Sequence, residues 1–331
     1  MADRKKDHIE LAFRSQMKNA WMDERFYYEP MLNAHPNVDD TSFTFLGKNL
    51  QTPIWISSMT GGTELAGKIN RNLARACAEF GMGMGLGSCR SLLNSDEHFA
   101  DFDVRSIIGD DLPLYANLGI CQLEELIRKK KVSKIIRLVG RLRADGLIIH
   151  INPMQEWLQP EGDRINESPI ESLEYLLDEV DFPIIVKEVG QGMGPESLRA
   201  LLQLPLQAIE FAAFGGTNFA KIELMRNPDS PTQLFEPLAQ IGHSANQMVD
   251  WVNEIVANEE QVKCKEIIIS GGIQNFLDGY YLMEKAALPA IYGQASTLLK
   301  YAKESYEELR SYLEIQRKGL QLSKSFLRVR K

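Results

Sequence analysis

The stretch "GLIIHINPMQEWLQPEGD", residues 146–163, decides how this chain folds. It opens on an unbroken apolar run, Leu147-Ile148-Ile149. A strand with one wet face alternates apolar and polar residues. A strand buried on both faces does not, and such strands belong to parallel sheets covered by helices. The run then passes into a dense polar set: His150, Asn152, Gln155, Glu156, Gln159, Glu161 and Asp163. In α/β folds chemistry collects at the C-terminal ends of parallel strands. One short segment therefore predicts a buried strand and a site on its end.

Working outward, the same kind of apolar run recurs at "PIWISSM" (53–59), "GMGMGL" (81–86), "LPLYANL" (112–118), "PIIVKEV" (183–189), "AIEFAAF" (208–214), "EIIISGG" (266–272) and "PAIYGQA" (289–295). Between them lie stretches with helical spacing, such as "TELAGKINRNLARACAEF", "CQLEELIRKKKVSKIIRLVGRL" and "SPIESLEYLLDEV". Eight strands alternating with helices predict an α/β fold, a (β/α)8 TIM barrel over 53–331. An open doubly wound sheet is the competing arrangement. Residues 1–52 form an N-terminal arm, expected to contribute to the substrate site, and "SYEELRSYLEIQRKGLQL" a C-terminal helix. The long gap before the seventh strand, including 218–243, reads as an insertion over the strand-end face, a candidate lid.

The 37 basic and 45 acidic residues leave a net charge of −8, which argues against nucleic acid or a membrane surface as partner. Cys77, Cys89, Cys121 and Cys264 form no C-x-x-C pair, which argues against a zinc site or disulfide framework. There is no apolar run long enough to span a bilayer, and "MADRKKDHIELAF" lacks a signal peptide's apolar core. The expectation is a cytoplasmic protein acting on a small molecule.

Read only at the strand ends, the chain offers Met59-Thr60, Ser88 with Arg90, Asn117, the opening stretch, Lys187-Glu188, Thr217, Gly271-Gly272 and Ala295-Ser296. Glycines crowd the sixth to eighth ends, where bare backbone amides can approach a phosphate. A lysine on a buried strand, Lys187, is costly unless it meets an anion or partner. A flavin mononucleotide satisfies both, its reduced ring placing negative charge beside a lysine. No segment matches G-x-G-x-x-G, so a dinucleotide fold is rejected. Arg4, Lys5 and His8 form a cationic set that either is a solvated tail or folds over the barrel mouth to hold a diphosphate with Arg90.

These residues fall into ordered blocks: "RKKDH" (4–8), "MTGG" (59–62), "GLGSCR" (85–90), "NLG" (117–119), "HINPMQEWLQPEGD" (150–163), "VKEVGQG" (186–192), "GGTNFAKIE" (215–223) and "SGGI" (270–273). In them the chain closely resembles the type 2, flavin-dependent isopentenyl-diphosphate isomerases over nearly its whole length. The resemblance implies a barrel enzyme that uses reduced FMN and Mg2+, with NADPH as reductant. It would interconvert isopentenyl and dimethylallyl diphosphate by a 1,3-allylic proton shift in isoprene biosynthesis. It also implies a homo-oligomer, tetramer or octamer.

Carried onto this sequence, the resemblance makes Arg4, Lys5, Ser88, Arg90, His150 and Asn152 diphosphate contacts. Gln155 would be the catalytic residue beside the alkene and Glu156 the Mg2+ ligand. Met59, Thr60, Ser88, Asn117, Lys187 and Thr217 would touch the flavin, and Gly271, Gly272, Ala295 and Ser296 its phosphate. The Glu156 role agrees with elementary electrostatics, since a carboxylate facing a diphosphate needs a cation between them. Two blocks depart from the family: Cys89 stands where a glutamine is usual, and "LMEKAALPAIYGQAS" replaces the usual approach to the last strand. The alternative on the same barrel is an FMN oxidoreductase of the 2-hydroxy acid oxidase or dihydroorotate dehydrogenase type, against which counts the lack of a strand-end acid–base pair suited to it.

Overall fold

The computed structural model describes residues 2–36, 42–58 and 60–330; Met59, an expected flavin contact, lies outside them. The strands in chain order are β1 (Phe26–Tyr28), β2 (Phe43–Phe45), β3 (Lys48–Leu50), β4 (Ile54–Ile56), β5 (Gly83–Gly85), β6 (Leu114–Gly119), β7 (Gly146–His150), β8 (Ile184–Lys187), β9 (Ala208–Glu210), β10 (Glu266–Ser270), β11 (Ala290–Gln294) and β12 (Leu327–Val329). β4 to β11 close into a barrel of eight, with β11 pairing back onto β4 in parallel register, Gly293 opposite Trp55. This is the expected (β/α)8 architecture, and each of the eight apolar runs supplies one strand. Every residue of β6, β8 and β10 is buried, which is the physical cause of their unbroken apolar character.

The barrel interior is filled by Trp55, Tyr115, Ile148, Ile185, Ala208, Ile268 and Ile291. The β2–β3 hairpin stops its lower end by inserting Phe45, Leu46 and Leu50 into this cluster. The Leu46 amide donates to both carboxylate oxygens of Glu266, the first residue of β10, at 3.1 and 3.0 Å. Part of the arm thus serves the end of the barrel opposite the candidate site. A further part, β1, pairs antiparallel with β12 and packs Phe26 on Tyr280 and Tyr281.

The stretch 121–142 is two helices, Ile120–Arg128 and Ser133–Leu142, where its periodicity reads as one. Lys130 takes a left-handed conformation (φ 54°), and the Lys131 amide reaches back to Leu126 O at 2.8 Å. That closure ends the first helix and re-aims the second, so that Ile135, Leu138, Val139 and Leu142 become buried. Between β9 and β10 the insertion forms a helix, Phe219–Arg226, a 3-10 turn, Pro231–Phe235, and a short helix, Glu236–Ala239. Ala220, Leu224 and Ala239 pack with Leu158 in a small core separate from the barrel's. Among the described residues no helix is long and apolar enough to cross a membrane.

Candidate active site

β7 ends at His150, two residues short of the expected run "GLIIHIN" (146–152), because Asn152 and Pro153 open a helix, Pro153–Leu158. Proline suits the first helical position, where its missing N–H is not needed. Gln155 and Glu156 therefore stand on a helical turn rather than a loop. Asn152 Nδ2 donates to Gln155 Oε1 at 3.1 Å and to Glu156 Oε1 at 3.0 Å. The chain then doubles back, and the Asp163 amide donates to Glu156 Oε2 at 2.8 Å. Only glycine permits this return, since a Cβ on Gly162 would lie 2.0 Å from Glu156 O. Asp163 in turn accepts from Arg90 at 3.0 Å and from Gln122 at 3.2 Å.

The helix Phe219–Arg226 of the insertion supplies a residue that reading the strand ends passes over. Gln155 Nε2 donates to Glu223 Oε1 at 3.3 Å, and Arg226 Nη1 donates to Glu223 Oε2 at 2.7 Å. Glu223 is only 3% exposed. Its signal was present as the last residue of "GGTNFAKIE", but its position on an insertion hides its proximity to Gln155 until the insertion is folded. Arg226 also reaches Glu161 at 3.2 Å, tying the insertion to the loop after β7.

One strand over, Asn117 Nδ2 donates to Leu86 O at 3.0 Å, which turns its Oδ1 toward His150 Nδ1 at 2.8 Å. His150 therefore donates from Nδ1 and presents Nε2 elsewhere, over Gly119. Burial, and then the charge of Lys187 beside it in register, push the imidazole down to about 3. Lys187 is buried and donates from Nζ to Glu188 O at 2.8 Å. The Glu188 side chain accepts from the amides of Gly190, Gln191 and Gly192 at 2.6, 2.6 and 2.9 Å. Burial raises that carboxyl even so, against the pull of these amides.

A cavity of about 270 Å3 opens at the strand ends and gathers Lys187, Thr217, Gly271, Gly272, Ala295 and Ser296 from the expected flavin set. Gly271 holds φ at 88°, and a Cβ there would meet Ala213 O at 2.1 Å, so the backbone itself is the wall. Ser57 Oγ and Ser58 Oγ, on the same wall, are buried without a hydrogen-bond partner among the described residues. Buried hydroxyls left unpaired are costly, and a polar ligand in the cavity would satisfy them. Thr60 lies against Gly87, whose added Cβ would meet Thr60 O at 2.1 Å. Ser88 and Arg90 are exposed at the rim.

Other expected residues are placed differently. The Asn117 side chain is engaged by Leu86 and His150 rather than lining the cavity. Cys89 turns into the core, its thiol 3.4 Å from Gly87 O and raised to about 12 by burial. Arg4 and Lys5 are exposed on the arm helix Ala2–Ala12. Among the described residues no group of three histidine, cysteine or acidic side chains forms a metal centre. A cation here would rest on Glu156 and on oxygens supplied by substrate and water, which is the usual habit of Mg2+. Asn152 Oδ1, buried beside Glu156 without a partner among the described residues, fits such a site.

No family model matches the chain. Solved structures that superpose on it are flavoenzymes. One is a flavocytochrome b2 double variant with sulfite bound, at TM-score 0.62 and 14% identity, covering 96% of this chain and 81% of the other. Another is a mandelate oxidase variant with a monooxide FMN adduct, at TM-score 0.58 and 13% identity, covering 93% and 89%. At such identities the likeness is one of fold. Sequence relatives are nearer. The isopentenyl-diphosphate delta-isomerase of Rickettsia akari is 34% identical over 304 residues, covering 90% of this chain and 85% of the relative. That of Rickettsia felis is 36% identical over 311 residues, covering 92% and 86%. Identity of this level, sustained along a chain whose polar side chains converge on one end of the barrel, means that the chain belongs to the isopentenyl-diphosphate delta-isomerase family.

Proposed function

We propose that this protein is the flavin-dependent, type 2 form of the isomerase, interconverting isopentenyl and dimethylallyl diphosphate with reduced FMN and Mg2+. The observation that carries the reading is the meeting of two half-sites at one end of the barrel. The cavity with its bare glycine wall, unpaired serine hydroxyls and Lys187 suits a flavin and its phosphate. The Asn152–Gln155–Glu223 chain suits the reacting alkene. Phe219 joins them: it lines the cavity, and Glu223 follows one helical turn later.

In this reading Arg90, Asn152 and Ser88 bind the diphosphate, and His150 joins them by taking up a proton at Nε2, which the negative phosphate charge favours. Arg4 and Lys5 join them only if the arm leaves the position described above. Glu156 holds Mg2+ against the phosphate oxygens. Gln155 is fixed from both sides, so its amide orients the alkene rather than rotating. The reaction adds a proton at one end of the C=C unit and removes one two carbons away, leaving no net redox change. When bound, reduced FMN supplies the proton donor and acceptor next to the alkene. Glu223 Oε1 accepts from the Gln155 amide and so fixes the orientation of that amide beside the alkene. NADPH serves as reductant. The protein works in the cytoplasm as a homo-oligomer, a reading supported by the exposed Phe13, Met17 and Met31 of the arm.

The test is an anaerobic incubation of purified protein with FMN, NADPH, Mg2+ and isopentenyl diphosphate. Dimethylallyl diphosphate is expected, and omission of either FMN or Mg2+ should abolish it. Turnover without FMN would sink the flavin-dependent reading.

A further inference from the structure

The eighth strand is one of two places where this sequence departs from the family it resembles, and there it is tied to the C-terminal helix by two hydrogen bonds. Tyr292 OH meets Gln316 Oε1 at 3.1 Å, and Tyr312 OH donates to Gln294 Oε1 at 3.0 Å. Tyr292 and Gln294 are alternate residues of β11, and Tyr312 and Gln316 are one turn apart on the helix Tyr306–Phe326. Two residues of strand span about 6.6 Å and one helical turn about 5.4 Å, so the two elements can be cross-linked twice in antiparallel sense. The second link does not stop at Gln294. Its Nε2 donates to Ile273 O at 3.3 Å, in the loop that follows β10.

That loop is the glycine wall of the cavity. Gly271 and Gly272 both hold positive φ, 88° and 75°, a conformation glycine enters and leaves with little steric resistance. Two such residues in succession leave the next peptide free to turn over. An anion needs amide N–H groups facing it and carbonyl oxygens facing away. Gln294 gives the Ile273 carbonyl a fixed donor. Tyr312, stacked on Tyr301 at 4.6 Å between ring centroids, fixes which end of the Gln294 amide does so.

We propose that Gln294 and Tyr312 are positioning residues for the phosphate-binding loop, so that the C-terminal helix sets the affinity of the barrel for the phosphate end of its cofactor. This rests on the flavin reading above. Riboflavin has the same ring system as FMN but no phosphate, so it separates a loop effect from general damage. The experiment titrates apoprotein with FMN and with riboflavin, following flavin fluorescence, for wild type, Tyr312→Phe and Gln294→Leu, with thermal unfolding of each as a check on folding. Both variants should bind FMN about five- to tenfold more weakly, with riboflavin affinity unchanged. Equal weakening of both ligands, or no change in either, overturns the positioning role. A wild-type protein that binds neither flavin overturns the flavin reading itself.

Discussion

Asp163 shows what a residue without chemistry of its own can do. Its amide holds Glu156, and its carboxylate holds Arg90 and Gln122. The Arg90 pair is about half exposed on both sides, so it adds little to stability, on the order of 1 kcal/mol or less. Its effect is to aim Arg90. His150 makes a larger energetic statement. An imidazole held down at about 3 takes up its proton in the unfolded chain, near the ordinary value of 6.5, well before it does so in the fold. Folding therefore becomes less favourable as pH falls through that interval. The cost is at most roughly 1.4 kcal/mol per pH unit, and less here because His150 keeps some solvent contact. The His150→Gln variant should show a shallower fall of Tm than wild type between about pH 6.5 and about pH 4.5. Parallel melting curves would mean that the imidazole titrates normally in the fold.

At the scale of elements, the insertion between β9 and β10 is held by its own small core. Leu224 is 2% exposed and packs with Leu158, Ala220 and Ala239, apart from the barrel interior. Removing buried leucine atoms costs about 2–5 kcal/mol in a well-packed core, and here that loss falls on the insertion. Leu224→Ala should speed hydrogen exchange across residues 219–239 while the barrel strands keep their protection. It should also lower turnover, because Glu223 is its neighbour and meets Gln155. Strand protection that falls in step with that of the insertion would show that the insertion is not an independent unit. Short connections matter as much as helices at this scale. The Lys130 turn and the Gly162 return each redirect a segment whose periodicity alone would carry it straight on.

For the whole molecule, the two ends of the barrel do separate work. The site occupies the C-terminal ends of the strands, and the β2–β3 hairpin seals the other end. Phe45 is 1% exposed there. Phe45→Ala should reduce unfolding free energy in denaturant by about 3–5 kcal/mol and leave flavin affinity unchanged. A large loss of flavin affinity would show that the plug and the site are coupled through the barrel interior. Stability and chemistry being segregated in this way lets strand-end loops carry many polar side chains without weakening the core.

Sequence alone determined the eight buried strands, because burial on both faces writes an unbroken apolar run such as Leu147–Ile149 that needs no partner to be read. It also placed Gln155, Glu156, Lys187 and Gly271-Gly272 at strand ends, since those positions follow directly from the strands. What it left to tertiary structure were relations between segments distant along the chain. Glu223 reaches Gln155 across 68 positions, Asp163 holds Arg90, and Gln294 links the last helix to the loop after β10. The arm divides in the same way: its charges are plain in "RKKDH", but only packing shows that residues 42–50 plug the far end of the barrel. Periodicity reports what each segment buries, and says nothing of which polar group, tens of residues away, will share its hydrogen bond.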